Sequence, residues 1–371
     1  MNSFIKKSDL FFLSIEKRFG LLFASFLISV MLIAAAMLYV QPNFELVFHG
    51  KGFSDLSSHP FDFHSGNELQ FRILAPLLGY LLFLRGIFFF ILPLLFLLFF
   101  ISAVYFNYRR KNFSSTEAFA MASLMTFSTA VLIPLIAPGY TDTITFFFLF
   151  LSFFNIDRPY RSATFFSLAL LNHESSLVLL PGLILYSIAV NKNSFAKILK
   201  SISAFVIACV PFLLYRWFVS LHTDVVYSTG FYFSKENIST NTKYLAHFLP
   251  AALFYAFKLF WFFPLYVILK MVKGRKFLFP FLICLIVSCA TAQLIVAADY
   301  TRMVSFAFPA VLISAEKIRE WWGTEKFVRF TFMLILFNFF ILQYFVINEG
   351  LTALFPWIYN VIAALCGHPN V

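Results

Sequence analysis

The sequence predicts an all-α, polytopic transmembrane protein with about 10–12 spans. Composition is the first reason, because 61% of the 371 residues are hydrophobic, 56 are Phe and only 12% are charged. Too little polar surface remains to cover a soluble core of this size. The second reason is that apolar runs of about 20 residues, the length that crosses a bilayer, recur along the chain. The hydrophilic stretches between them are too short to fold alone, so residues 1–371 are expected to form a single membrane domain.

Basic residues predict the orientation of the chain. Lys6, Lys7, Lys17 and Arg18 precede an apolar run over 19–40, which is longer than a signal-peptide core and so predicts a retained first helix. Twenty of the 28 Lys and Arg residues lie in this segment and in five later clusters, at 109–111, 158–161, 192–200, 270–276 and 317–329. All six groups satisfy the positive-inside rule if they face the cytoplasm. The expected location is therefore the inner membrane with a cytoplasmic N-terminus, and the net charge of +11 requires no nucleic-acid partner.

The first outer loop is expected at 41–86 and contains a segment that does not cross the membrane. Residues 71–84 are apolar, but as a helix they reach only about 21 Å, and Pro76 and Gly79 interrupt them. We interpret this segment as an interfacial or re-entrant helix. A second outer loop is expected at 220–247. The other spans are predicted near 87–107, 116–137, 142–155, 160–171, 175–190, 198–219, 248–269, 277–296, 303–314 and 330–347, and 351–366 is either a further span or a surface segment.

Asn172-His173-Glu174 interrupts a long apolar stretch. Because the basic clusters at 158–161 and 192–200 face the same side, the chain must cross outward and return between them, and these three residues form the turn. The two arms reach only about 18 to 24 Å as helices, which is less than the hydrocarbon thickness. A turn below the lipid boundary needs a polar or protein-lined cavity, because its backbone groups would otherwise be unsatisfied.

Carboxylates and bases recur at the same outer ends of the predicted helices. The first outer loop contains Asp55, Asp62, Glu68 and Arg72, Asp142 begins a returning span, and Asp299 and Arg302 lie one helical turn apart, while Lys258 lies deeper in an apolar run. Most have an ordinary interpretation: an N-cap for Asp142, a structural ion pair for Asp299 and Arg302, and a solvated loop for Asp55 and Asp62. Lys258, which lies in an apolar run, suggests an anion-binding or counter-ion role. Their repetition on one face favours a functional outer cavity.

Transfer of a group from a lipid phosphate to a hydroxyl acceptor suits such a cavity. A carboxylate can take the acceptor's proton, and Arg or Lys can neutralise the departing phosphate. The sequence lacks a P-loop, a GxSxG elbow and an HExxH helix, which disfavours nucleotide hydrolysis and zinc proteolysis. Its four cysteines have no metal-binding spacing.

The stretches "NELQFRILAPLLGYLL", "PGYTDTITFFFLFLSFFN", "LALLNHESSLVLLPGLIL" and "ADYTRMVSFAFPAVLI" resemble segments of the GT-C superfamily of membrane glycosyltransferases. The order of elements is also similar: an N-terminal helix, an acidic first outer loop with short helices, then many spans. The resemblance implies a polyprenyl-phosphate-linked sugar donor, chemistry on the non-cytoplasmic face and an acidic base in the first outer loop. That role falls to Asp62 or Asp55, which are seven residues apart rather than a tight acidic pair.

We expect Asp62 to be the base, with Asp55 as the competitor, because Asp62 lies closer in sequence to Arg72. Arg72, Arg302 and Lys258 are the expected phosphate binders. Glu68, Asp142 and Asp299 are expected to complete the substrate site, together with His173 as a hydrogen-bond donor and Glu174, which could orient it or help to hold a divalent ion such as Mg or Mn. The expected partners are the lipid-linked sugar and the bilayer.

Two other classes of protein remain open at this stage. A transporter or flippase for a lipid-linked or amphiphilic substrate would use the same charged groups as a binding path. An envelope polysaccharide polymerase or acyltransferase would share the location but use a different donor. Inverted halves with paired broken helices, which many transporters have, are not evident in the sequence.

Overall fold

The computed structural model describes residues 2–47, 49–223, 233–347 and 350–354, and about 80% of the structure is helical. The α-helices are α1 Asn2–Phe19, α2 Leu21–Tyr39, α3 His49–Ser58, α4 Leu74–Leu81, α5 Ile91–Arg110, α6 Ser115–Thr126, α7 Thr129–Ile136, α8 Asp142–Phe154, α9 Pro159–Asn172, α10 Leu180–Val190, α11 Phe195–His222, α12 Lys235–Phe257, α13 Phe262–Lys273, α14 Leu278–Ala292, α15 Tyr300–Val304 and α16 Phe308–Phe340. Short 3₁₀ helices lie at Glu68–Phe71, Gly86–Phe90, Glu174–Leu179, Lys258–Trp261, Gln293–Ile295 and Ser305–Ala307. The expectation of a largely helical chain is confirmed.

Five helical segments in the described ranges are long and apolar enough to cross a membrane: Leu21–Tyr39, Gly86–Arg110, Phe195–His222, Lys235–Lys273 and Leu278–Ile295. A sixth qualifies if α6 and α7, which are bent by 52° at their junction, are counted as one span. Two further apolar helical segments, Asp142–Phe154 and Glu174–Val190, are shorter. By length and composition, the described residues thus supply five or six clear candidates where the sequence suggested 10–12.

The region expected to be the first outer loop is built of short helices. α3 comes first, Glu68–Phe71 and α4 follow, and Gly86–Phe90 leads into α5. The eight residues of α4 span only about 12 Å, so this helix is too short to cross a bilayer. α3, α4 and the start of α5 pack around a small apolar core of their own that includes Phe53, Leu56 and Phe89.

The second expected outer loop and the C-terminal region depart from the sequence interpretation. Residues 235–247 are the first half of α12 rather than loop, and 224–232 lie outside the described residues. Beyond α16, the strands β1 Gln343–Ile347 and β2 Gly350–Leu354 form an antiparallel hairpin in which Gln343 pairs with Leu354. Most of the segment expected at 351–366 also lies outside the described residues.

Charged residues meet at two opposite ends of the helical bundle. Three ion pairs join α1, α5, α6 and α16 at one end: Glu16–Arg109 at 2.7 Å, Lys111–Glu316 at 2.8 Å and Glu117–Arg319 at 2.9 Å. α8 and α9 run antiparallel from this end to the other, since Ser152 bonds to Ser162 near one end while Asp142 approaches His173 at the other. We call the end with these three ion pairs the basic end, because the basic clusters at 109–111 and 317–329 lie there. The end with Asp142 and His173 is called the carboxylate-rich end. The two ends are separated by the length of α8, about 20 Å.

Candidate functional site

The site lies where the N-terminus of α8 meets the first short helix, α3. A Cβ atom added to Gly50 would lie 2.4 Å from the carbonyl oxygen of Pro138, and one added to Gly139 would lie 2.5 Å from Cα of Gly50. Only glycine permits two backbones to approach so closely, and Gly139 also has a φ of +89° that favours glycine. This contact fixes α3 against the turn that leads into Asp142.

Arg302 is held by two carboxylates within this site. Its Nη1 lies 3.0 Å from Oδ2 of Asp142, and its Nε lies 2.5 Å from Oδ2 of Asp299. All three residues are buried, with exposed fractions of 9% or less, and the guanidinium carbon lies 4.8 Å from the centre of the Tyr140 ring. Because a buried charge needs a partner, the guanidinium stabilises the ionised form of each carboxylate, and both carboxylates stabilise the charge of the guanidinium.

A second ion pair connects the first short helices to the turn between α9 and α10. Arg72 donates two parallel hydrogen bonds to Glu174, from Nε at 2.9 Å and from Nη2 at 2.6 Å. This bidentate geometry is the strong, directional form of a carboxylate–guanidinium pair. It places the Glu68–Arg72 segment beside His173, even though the two segments are about a hundred residues apart in the sequence.

His173 is held in a defined tautomer by its surroundings. The backbone N–H of Ser175 donates to its Nδ1 at 3.2 Å, so a neutral ring carries its proton on Nε2. The preceding residue, Asn172, fixes the end of α9 by donating to Thr141 O and Thr145 Oγ1 at 2.8 and 2.7 Å. Burial lowers the pKa of His173 to about 3, and Arg72 contributes to this decrease. The imidazole is therefore neutral at pH 7.

The buried polar atoms of the site that have no hydrogen-bond partner include Nε2 of His173, Oδ1 of Asp142 and Oδ1 of Asp299. The first two are 3.8 Å apart, too far for a direct hydrogen bond. A hydroxyl group whose oxygen lies about 2.8 Å from each would bridge them, accepting from Nε2–H of His173 and donating to Oδ1 of Asp142. Since buried polar groups are normally paired, these atoms mark the part of the site that can contact a substrate.

Asp299 differs electrostatically from an ordinary carboxylate. Burial raises its pKa to about 6 even though Arg302 acts in the opposite direction, and the nearby Asp142 contributes to the increase. Its Oδ2 faces Arg302 while Oδ1 is unpartnered. A carboxylate with a pKa near the working pH and one oxygen without a hydrogen-bond partner is suited to accept a proton from a bound hydroxyl.

His49 and Tyr140 also belong to the site, although neither was predicted from the sequence. Their rings are in edge-to-face contact at 5.5 Å. Burial lowers the pKa of His49 to about 4, with further contributions from Arg72 and Arg302, so this ring too is neutral at pH 7. The available signal was a histidine in the first outer loop, where it begins α3 directly before Gly50, but the contact of this segment with the Pro138-Gly139 turn is not evident from sequence spacing.

The structure brings together six of the predicted site residues: Arg72, Asp142, His173, Glu174, Asp299 and Arg302. It does not bring Asp55 and Asp62 into contact with them. Both carboxylates are exposed, and Oδ1 of Asp62 accepts a hydrogen bond from the backbone of His64 in its own loop at 3.1 Å. Glu68 begins a 3₁₀ helix and is partly exposed.

Lys258 belongs to a separate network. It is 3% exposed and lies at the break between α12 and α13, where its φ is +48°. Its Nζ donates to Tyr39 Oη at 2.7 Å, to Ile341 O at 2.8 Å and to Asn338 O at 3.4 Å. With three acceptors around its three N–H groups, Lys258 ties the ends of α2 and α16 to this break.

Among the described residues, no group of three or more His, Cys, Asp or Glu side chains is arranged to hold a metal ion. Comparisons with protein families, curated proteins and solved structures found no match to this chain. The chemistry of the site therefore rests on its own geometry.

The glycine contact supports a direct prediction. Gly50→Ala should lower the free energy of unfolding by about 1–3 kcal/mol, because the new methyl group meets backbone atoms that cannot rotate away. Gly274→Ala is the matched control, since its Cβ would make only ordinary contacts at 3.5 Å. Thermal unfolding of the purified variants in detergent measures both effects. Equal stability of the two variants would contradict the close packing of α3 on the Pro138-Gly139 turn.

Proposed function

We propose that this protein is a polytopic inner-membrane transferase that moves a sugar from a polyprenyl-phosphate donor to a cell-envelope acceptor. The observation that carries the proposal is the buried cluster of Asp142, His173, Asp299 and Arg302, in which Nε2 of His173 and Oδ1 of Asp142, 3.8 Å apart, and Oδ1 of Asp299 have no hydrogen-bond partner. Buried, paired charges with spare hydrogen-bonding atoms are typical of sites that bind or transform polar substrates.

The depth of the cluster supports a lipid-linked substrate. α8 and α9, which lead to it from the basic end, have 13 and 14 residues and span about 20 Å each, less than the roughly 30 Å of hydrocarbon. If the basic end lies at the cytoplasmic surface, the cluster lies below the outer lipid boundary. A lipid phosphate can reach this depth while its chain stays in hydrocarbon.

The proposed reaction assigns each group of the cluster a role. The bond between the anomeric carbon and the donor's phosphate oxygen breaks, and its electron pair stays on the phosphate, whose charge Arg302 stabilises. Nε2–H of His173 donates a hydrogen bond to a phosphate oxygen. The acceptor's hydroxyl oxygen forms the new bond to the anomeric carbon, and its proton passes to Oδ1 of Asp299.

The charge balance of the cluster is consistent with this proton transfer. With neutral histidines, the two guanidinium groups of Arg72 and Arg302 face three carboxylates, so ionised Asp299 leaves one negative charge in excess. An anionic phosphate that enters the site raises the affinity of Asp299 for a proton. Binding of the donor thereby favours the protonation that a general base undergoes during transfer. The resemblance to GT-C enzymes favours Asp62 or Asp55 instead, and variants of each distinguish these assignments.

The same link between anion binding and protonation favours a second candidate, a proton-coupled transporter or flippase for an anionic lipid. Purified protein in detergent, supplied with a polyprenyl-phosphate donor carrying a radiolabelled sugar and with envelope extract as acceptor, separates the two functions. Transferase activity yields labelled product although only one compartment exists. A transporter yields no product in detergent, but it moves the labelled lipid between leaflets of liposomes. The first function is contradicted if only the second assay is positive.

The proposed orientation has its own test. Single cysteines are placed at Arg110, Asn193, Gly274 and His64 in a variant lacking the native cysteines. An impermeant maleimide added to intact cells should label position 64 alone, because the other three positions lie at the basic end or in basic loops that face the cytoplasm. Labelling at position 110 from outside would reverse the orientation of the bundle.

A further inference from the structure

α1 is fixed to the basic end of the bundle along one face. Thr116 N–H donates to Asp9 at 3.1 Å, Arg109 donates to both carboxylate oxygens of Glu16 at 2.7 Å, and Phe12 stacks on Phe119 with ring centres 4.5 Å apart. Residues 9, 12 and 16 follow the helical repeat and therefore share this face. The remaining surface of α1 points away from the bundle.

That remaining surface carries both aromatic and basic side chains. Phe11 and Phe19 are 53% and 46% exposed and lie about two turns apart, and Phe19 contacts Phe23 of α2 at 5.7 Å between ring centres. Phe23 is 50% exposed and lies in a segment apolar enough to cross a membrane. The exposed aromatic surface of α1 is thus continuous with the exposed apolar surface of α2.

Bases without matching acids lie around these rings. Lys6, Lys7, Lys17 and Arg18 are all exposed, and none of them forms an ion pair with a residue in the described ranges. Lys7 and Arg18 lie four residues before and seven residues after Phe11, on the same face of the helix, and the guanidinium carbon of Arg18 lies 5.3 Å from the centre of the Phe19 ring. Long basic side chains at a membrane interface lay their stems along apolar groups and keep their charges at the headgroups, and clustered bases there attract anionic headgroups.

We infer that α1 is an interfacial helix that binds the headgroups of anionic phospholipids at the basic end of the protein. The bundle-facing residues hold it in place, Phe11 and Phe19 enter the acyl boundary, and the lysines concentrate anionic lipid around it. This inference requires the membrane location but not the transferase activity, so it fails or holds independently of the proposed reaction.

Fluorescence quenching in nanodiscs tests the inference on the full chain. Phe11→Cys, in a variant without native cysteines, is labelled with bimane and placed in bilayers that contain equal small fractions of tail-nitroxide phosphatidylglycerol or phosphatidylcholine. Quenching by the anionic lipid should exceed quenching by the zwitterionic lipid by at least about twofold. Lys6→Gln/Lys7→Gln/Lys17→Gln should reduce this ratio to about one.

The control is a matched triple variant in which three exposed lysines outside α1 are replaced by Gln. Lys51, Lys235 and Lys243 are also exposed, and their replacement by Gln should leave the ratio unchanged. The inference is overturned if neither lipid quenches the label, if both lipids quench it equally in the protein with native lysines, or if the two triple variants behave alike. Monodisperse chromatography of each labelled protein verifies folding.

Discussion

Asp299→Asn should lower the rate of sugar transfer by about 10²–10⁴-fold, the usual contribution of a positioned base. The amide keeps the size of the side chain but cannot accept the acceptor's proton. Donor binding, measured by retention of the labelled lipid, should persist because Arg302 and His173 remain. Asp62→Asn and Asp55→Asn are the comparison, since their exposed carboxylates lie outside the buried cluster. Full activity of Asp299→Asn combined with loss of activity in Asp62→Asn would identify Asp62 in the first outer loop as the base instead.

The rate of the same reaction should depend on pH through the ionisation of Asp299. Its pKa of about 6 means that the carboxylate is ionised, and therefore able to act as base, above this pH. At donor concentrations far below saturation, where the rate reports the protein without donor, it should rise about tenfold per pH unit below pH 6 and level off above it. Asp299→Asn should abolish this dependence in the residual rate. A flat profile between pH 5 and 7 in the native protein would contradict the assignment.

Arg302→Ala should reduce the free energy of unfolding by about 3–5 kcal/mol, because it leaves the carboxylates of Asp142 and Asp299 buried without their shared partner. Lys317→Ala is the control: it removes a more exposed pair with Glu320 at 2.6 Å, and such pairs contribute about 0–1 kcal/mol. Unfolding of detergent-solubilised protein measures both changes.

Neutralising the two carboxylates that Arg302→Ala leaves unpaired should restore part of the lost stability. The variant Arg302→Ala/Asp142→Asn/Asp299→Asn replaces both carboxylates by neutral amides, and neutral groups are less costly to bury unpaired than ions. It should therefore unfold at a higher temperature than Arg302→Ala alone. If the triple variant is less stable than the single one, the carboxylates stabilise the fold through contacts other than Arg302.

The general class of fold follows from local properties of the sequence, whereas several boundaries do not. Apolar length alone predicted α2, α5 and α14 well, because helices that can span a bilayer need nothing more. The first strand of the hairpin was interpreted as the end of the span at 330–347, and most of the second as the start of the segment at 351–366. The reason is that "QYFVI" is as hydrophobic as a helix and that strand pairing depends on a partner segment. α12 begins earlier in the chain than expected. Its first turns are polar, and a prediction that relies on hydropathy does not detect a polar helix.

For the candidate site too, some features could be predicted from the sequence and others could not. Asp142, His173, Glu174, Asp299 and Arg302 were identified because charges at the ends of apolar helices stand out, and a consistent orientation places all of them at one end. The pair of Asp299 and Arg302 follows from their spacing of one helical turn, whereas the contacts of Arg302 with Asp142 and of Arg72 with Glu174 could not be predicted, since they depend on how distant segments pack. His49 and the Gly50 contact were missed for this reason. Lys258 illustrates the converse: a charge in an apolar run suggested a phosphate ligand, but helix-end carbonyls surround its ammonium group.

The most direct test of the central claim is to locate the lipid on the protein. A polyprenyl phosphate carrying a diazirine near its headgroup is irradiated with the purified protein, and the modified peptides are identified by mass spectrometry. If the buried cluster holds the lipid phosphate, adducts should fall in the segments around Arg72, Asp142, His173 and Arg302, and excess unlabelled polyprenyl phosphate should suppress them. Specific, suppressible adducts confined to peptides distant from these four residues would contradict the claim.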